Sequence, residues 1–173
     1  MKKIFPLLTL CAAAAAMAPS FADDAQRQAE VARLGADVMP FSLKATTHVF
    51  TKTDRGGVQQ VVAKDAADAQ QVKLVREHLR EIRLQFLKGD FSGPMHIHGA
   101  EMRCLAVLKA SKPGQIDIEY KDVEAGAELI YGTADAKLVK ALHQWFDAQL
   151  ADHGSDATAG HSQHHDHGSM MKH

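Results

Sequence analysis

After Asp65, the residues Val72, Val75, Leu79, Ile82 and Phe86 recur at alternating spacings of three and four, with Leu74 and Leu87 on the flank. Only a helix gathers such a set onto one face. Asp65 is a fitting N-cap, Asp68 lies in the first turn, and Gly89 is a natural stop. The segment before this helix, FSLKATTHVFTKT at 41–53, is rich in Thr, Val and Phe and predicts a strand. DRGG at 54–57 supplies turn glycines, and VQQVVAK at 58–64 returns as a second strand.

The same plan recurs further on. QIDIEYKDV (115–123) alternates as a strand, EAG (124–126) turns, and AELIYGT (127–133) runs back. A helix over 134–151 follows, capped by Thr133 or Asp135. Leu138, Val139, Leu142, Trp145, Phe146 and Leu150 lie on its apolar side. The lines GGVQQVVAKDAADAQQVKLVREHL and AGAELIYGTADAKLVKALHQWF match in pattern more than identity. The echo fits a duplicated unit and two independent units equally well. Both lead to an α+β fold: an antiparallel sheet built from two ββα-like units, with the helices on one face. A helix from Asp23 to about Met39, stopped by Pro40, precedes the first unit. MRCLAVLKA (102–110) reads as a further strand after a loop at 89–101.

The first 22 residues have a different character. Lys2 and Lys3 precede a short apolar run to Met17, and Ser20-Phe21-Ala22 offers small residues to a signal peptidase. This predicts a secretory signal peptide over 1–22, Cys11 included, and a periplasmic mature chain of 151 residues. Without Lys2 and Lys3, 18 basic residues face 21 acidic ones, a formal charge of −3. That balance gives no reason to expect nucleic acid as a partner. No later stretch is apolar enough for membrane insertion. Cys104 is then the one remaining thiol, so no internal disulfide is expected.

The predicted domain runs from 23 to 153. Beyond it, residues 154–173 lack apolar periodicity and are expected to be a disordered tail. The tail carries His161, His164, His165, His167 and His173 with Met170 and Met171. Imidazole ligates copper, zinc and nickel, and thioether favours copper, so this composition points to metal capture.

Within the domain, SGPMHIHGAEMRC (92–104) concentrates candidate ligands. An extended backbone would aim His96 and His98 to one side, with Met102 and Cys104 nearby as soft ligands. Against this, Cys104 alternates with Ala106 and Leu108 and fits a core-facing strand position. His78 and His143 sit at the edges of the two helical stripes and would converge if the helices pack side by side. A boundary position in water is the simpler expectation for each. His48 falls mid-strand, where surface or cross-strand placement is usual. His153 ends the last helix, where a cation meets the negative end of the dipole.

No Gly-x-Ser-x-Gly, phosphate loop, His-Glu-x-x-His or Cys-x-x-Cys motif is present, so none of those chemistries is expected, and a small hydrolase or transferase using the histidines is a further alternative that would need a carboxylate or thiol beside an imidazole. The stretches THVFTKTDRGGVQQVVAKD, VREHLREI, GDFSGPMHIHGAEM and HQWFDAQLADHG resemble a family of small secreted proteobacterial proteins that carries the label aspartate carbamoyltransferase. The resemblance spans roughly residues 40–155. It implies that His48, His78, His98 and His143 match the family's histidines, while His96 and Cys104 have no counterpart. Carbamoyltransferase activity is not expected, because the Ser-Thr-Arg-Thr phosphate-binding motif is missing. The leading expectation is a periplasmic metal-binding protein, for copper above all, in metal tolerance or delivery. The alternative is a non-catalytic module for a small molecule, haem or a periplasmic protein partner, with the tail incidental.

Overall fold

A computed structural model describes residues 21–161. Its architecture is α+β, with two hairpins, β1 (Thr46–Thr53) with β2 (Gly56–Ala63) and β3 (Asp117–Val123) with β4 (Gly126–Gly132). Each hairpin is followed, directly or nearly so, by a long helix: α2 (Ala69–Leu87) and α5 (Ala136–His153). Asp68 and Asp135 cap these helices by accepting from the backbone N–H of Gln71 and Lys137. The cap of α2 is thus Asp68 rather than Asp65, whose carboxylate instead accepts from Ala67 in the preceding turn.

The central strands β2 and β4 pair antiparallel, which joins the two ββα units into one sheet of order β3-β4-β2-β1-β5. Inward residues line up across it: Phe50, Gln59 and Leu129 in one row, His48, Val61 and Ala127 in the next. This face is buried beneath α2 and α5, while Val49, Val58, Val62 and Ile130 on the other face are only half-buried. Two glycines permit close approach at matching places in the units. A Cβ on Gly56 would strike the Tyr131 carbonyl, and one on Gly126 would strike the Val61 carbonyl.

The sheet is mixed rather than wholly antiparallel. After α5 the chain turns at Gly154 (φ 53°) and runs through a 3-10 turn, Gly154–Asp156, into β5 (Ala157–Ala159). This strand pairs parallel with β1, His48 opposite Ala157. The expected disordered tail therefore yields its first residues to the fold, because the free edge of β1 offers backbone partners.

The connection between α2 and β3 corrects the sequence reading twice. Residues Ser92–His98 form α3, and Leu105–Lys109 form α4 in place of a strand. Pro94 sits in the first turn of α3, where its missing N–H costs no intrahelical bond, and Gly99 (φ 83°) ends the helix. In α4 the buried residues are Leu105 and Leu108, a spacing of three that a helix satisfies and a strand does not. The N-terminal helix α1 (Phe21–Val38) packs against α3 and α5.

Candidate functional site

Along α5 the buried face runs Leu138, Leu142, Trp145, Phe146, Gln149 and His153. Gln149 and His153 are polar residues on an otherwise apolar stripe, 5% and 9% exposed. They border a cavity of about 400 Å³ enclosed by the sheet, α2, α3 and α5. Its walls are largely apolar and aromatic, with Phe41, Phe50, Leu79, Phe86, Ile97 and Trp145 among them.

Four buried histidines from four elements line this cavity, His48 of β1, His78 of α2, His98 of α3 and His153 of α5, with the exposed His96 of α3 as a fifth. The rings of His48 and His153 stack, with centroids 5.0 Å apart and planes 10° from parallel. His98 meets His153 edge to face at 5.2 Å. Phe41 lies between the remaining pair, 5.9 Å from His48 and 5.5 Å from His78. Burial lowers the pKa of His48 to about 4, aided by the neighbouring His78 and His98. Burial likewise lowers His78 to about 4 and His153 to about 3, the latter also pressed by His48 and His98. These three rings are therefore neutral at neutral pH.

A charged tie holds the site from behind. Asp152 accepts from His98 Nδ1 at 2.7 Å and from Arg27 at 2.7 and 3.1 Å. The Arg27 guanidinium also donates to the His98 carbonyl oxygen at 2.8 Å. Burial alone would raise the Asp152 pKa, but the hydrogen bonds from His98 and Arg27 outweigh it and hold it at about 2. The tie locks α1, α3 and α5 together and fixes the plane of the His98 ring.

Three buried polar atoms of residues that border the cavity, His48 Nδ1, Trp145 Nε1 and Gln149 Oε1, have no hydrogen-bond partner within the protein. A buried polar group left unpaired costs roughly 1–3 kcal/mol.

The remaining candidates fall elsewhere. His143, half-buried, uses Nε2 on the carbonyl oxygens of Thr53 and Gly56 at 3.0 and 2.9 Å, so it ties α5 to the β1–β2 turn and does not meet His78. His96 and His98 are not a same-side pair, because two residues along a helix differ by about 200°. His96 is exposed, with Nε2 3.3 Å from Asp37 at the cavity mouth. Met102 is buried in the core, and the half-buried Cys104 points its thiol at Gln144 Oε1, 3.0 Å away. Cys104 adopts φ 63° at the start of α4, where a strand position facing the core was expected. His48 is buried rather than a surface residue. His153 is a buried neutral ring rather than a cation at a helix end. His161 is exposed just beyond β5. His164, His165, His167, Met170, Met171 and His173 lie outside the described residues.

Sequence reasoning missed His153 as a member of the group, and with it Arg27, Trp145, Gln149 and Asp152. The signal was present in Gln149 and His153, whose spacing places them on the apolar face of α5. Arg27 and Asp152, some 125 residues apart in sequence, carried none.

Among the described residues, no group of three or more His, Cys, Asp or Glu side chains is placed to hold a metal ion, and no helix is long and apolar enough to cross a membrane. Compared with protein-family models, with curated proteins and with solved structures, the chain finds no match.

Proposed function

We propose that the folded domain is a binding module for a small molecule, exported to the periplasm and without catalytic turnover. The observation that carries this reading is the cavity itself, about 400 Å³, with aromatic walls and four buried histidines brought to it by four different elements. The volume suits a ligand of one to a few fused rings, and the aromatic walls offer stacking surfaces. The reading is tested with N-phenyl-1-naphthylamine, an uncharged probe that fluoresces in apolar surroundings. Saturable one-to-one binding is expected, and Ile82→Phe, which narrows the cavity, should weaken it about tenfold. Absence of saturable binding to a folded protein ends the proposal.

A second reading keeps the metal expectation. It is favoured by four buried histidines around one space, three of them neutral and so able to offer lone pairs. Copper, or zinc or nickel, would be taken up by the domain, by the histidine-rich tail, or by both. Titration with Cu(I), Cu(II) and Zn(II), using the mature chain and a version ending at His161, separates these. A domain site predicts uptake by the shortened form that is lost in His153→Gln. Uptake only by the longer form assigns the metal to residues 162–173.

A further inference from the structure

A second cavity, of about 210 Å³, shares Phe86 and Trp145 with the first as a common wall. It is bounded by the end of α2, by α4 and the turn after it, by β3 and β4, and by α5. Leu108, Ile116, Ile118, Tyr131, Leu142 and Trp145 form its floor, and all are buried. The lining residues that reach solvent are Lys88, Lys109, Lys112, Pro113 and Gly114, so these form its mouth.

The uncharged polar groups of the lining are engaged or closed off. The Tyr131 hydroxyl donates to Gln59 Oε1 at 2.8 Å, and Trp145 Nε1 is shut away from solvent. Ser111 Oγ donates to the Leu108 carbonyl at 2.7 Å, and the Lys112 N–H donates to Gln115 Oε1 at 2.7 Å. What remains is charge, and it has one sign. No Asp, Glu or His lines this cavity. Among the described residues, Lys88, Lys109 and Lys112 make no ion pair. Lys109 is the least free of the three, with Nζ 3.6 Å from Met95 Sδ and its charge felt by Asp90. The Asp90 carboxylate itself accepts from the Ser92 N–H at 2.9 Å and stays outside the lining. The first cavity has the reverse balance, with Asp37 and Glu81 but no Lys or Arg.

An apolar floor below a cationic mouth suits a molecule that is apolar at one end and anionic at the other. Its apolar body gains by leaving water. Its charge stays at the mouth, where little desolvation is required. The volume is below that of a site for a drug-sized ligand and fits a single ring. A cation of the same shape would meet three like charges.

We propose that this second cavity binds a small apolar carboxylate, with its one ring on the floor between Leu108 and Trp145 and its carboxylate among Lys88, Lys109 and Lys112. The proposal is independent of what occupies the first cavity.

Three probes of one skeleton test it: 4-ethylbenzoate, the uncharged 4-ethylbenzamide and the cationic 4-ethylbenzylammonium. Each is titrated into the mature chain at pH 7.5 and low ionic strength, and backbone nitrogen–proton spectra are recorded. The benzoate should bind about fivefold tighter than the benzamide, and added salt should erode that advantage, since exposed charges are screened. The ammonium compound should bind weakest. The signals that move should include those of Gly89, Ser111 and Gly114. Changing Lys88→Glu and Lys112→Glu together, both at exposed positions, should abolish the benzoate advantage. The benzamide should still bind that variant, which reports an intact floor and fold. Equal affinities for benzoate and benzamide in the unaltered protein overturn the proposal, as does an advantage that survives the double change. Shifts centred on Asp37 and His96 would place the anion at the first cavity and overturn it too. So would the failure of all three probes to bind at millimolar concentration.

Discussion

His48 and His153 stack face to face, 5.0 Å between ring centroids, although they are separated by the whole of both ββα units. The contact exists because β5 pairs with β1 beside His48 while α5 delivers His153 above it. Two aromatic rings stacked in a dry wall are favourable only while both are neutral, which sets the pH behaviour of the domain.

Stability should fall as the pH is lowered from about 6.5 towards 4. His48, His78 and His153 have folded pKa values of about 4, 4 and 3, below the ordinary value of 6.5. The unfolded chain therefore takes up protons first, and stability present above pH 6.5 is lost as the pH falls through this window. Asp152, held at about 2, adds a further loss between about pH 4 and 2. Urea midpoints at pH 7.5, 6 and 5 should decrease in that order, and His153→Gln should flatten the slope. A midpoint independent of pH over this range would contradict the buried neutral cluster.

The Arg27–Asp152–His98 tie should be worth measuring energy. Asp152→Ala removes the acceptor shared by a half-exposed guanidinium and a buried imidazole, and should cost about 2 kcal/mol in equilibrium unfolding. Because Arg27 is partly exposed, its own coupling to Asp152 in a double-mutant cycle should be smaller, about 1 kcal/mol. Additive effects of the two single changes would show that the pair is incidental.

His143→Ala should separate structure from binding. Loss of the bonds to Thr53 and Gly56 should lower stability by about 1 kcal/mol. Binding of N-phenyl-1-naphthylamine should not change, because His143 does not line the cavity. A binding defect comparable to that of Ile82→Phe would place His143 in the site after all.

Truncation should distinguish two parts of the region read from sequence as one tail. A chain ending at His153 loses β5, exposes the edge of β1, and should melt several degrees below one ending at His161. Equal melting temperatures would mean that β5 contributes nothing to the fold.

Much of the fold was legible because it rests on local patterns. The stripes from Val72 to Phe86 and from Leu138 to Leu150, each preceded by a hairpin, led to the two ββα units and the α+β class. The connection at 89–110 was not legible. Its helices are short, and five residues of Leu-Ala-Val-Leu-Lys fit alternation and helical spacing alike. That error carried into the site, since only an extended chain would pair His96 with His98. The histidines themselves were visible, but their grouping was not. It depends on β5 crossing to β1 and on α3 docking against α1 and α5, contacts between residues far apart in sequence. His153 shows the difference best: a helix-end histidine has an adequate local explanation, and only its burial reveals another.

The indole N–H of Trp145 offers the most direct test of the cavity. The chain has one tryptophan, so a nitrogen–proton correlation spectrum shows one indole signal. Its nitrogen is buried without a hydrogen-bond partner in the protein, and the residue lines the cavity. Adding N-phenyl-1-naphthylamine should shift that signal in a saturable manner, because Trp145 lines the cavity, and Ile82→Phe should weaken the response. An indole signal that stays in place up to the solubility limit of the probe, in a protein shown to be folded, would contradict the account.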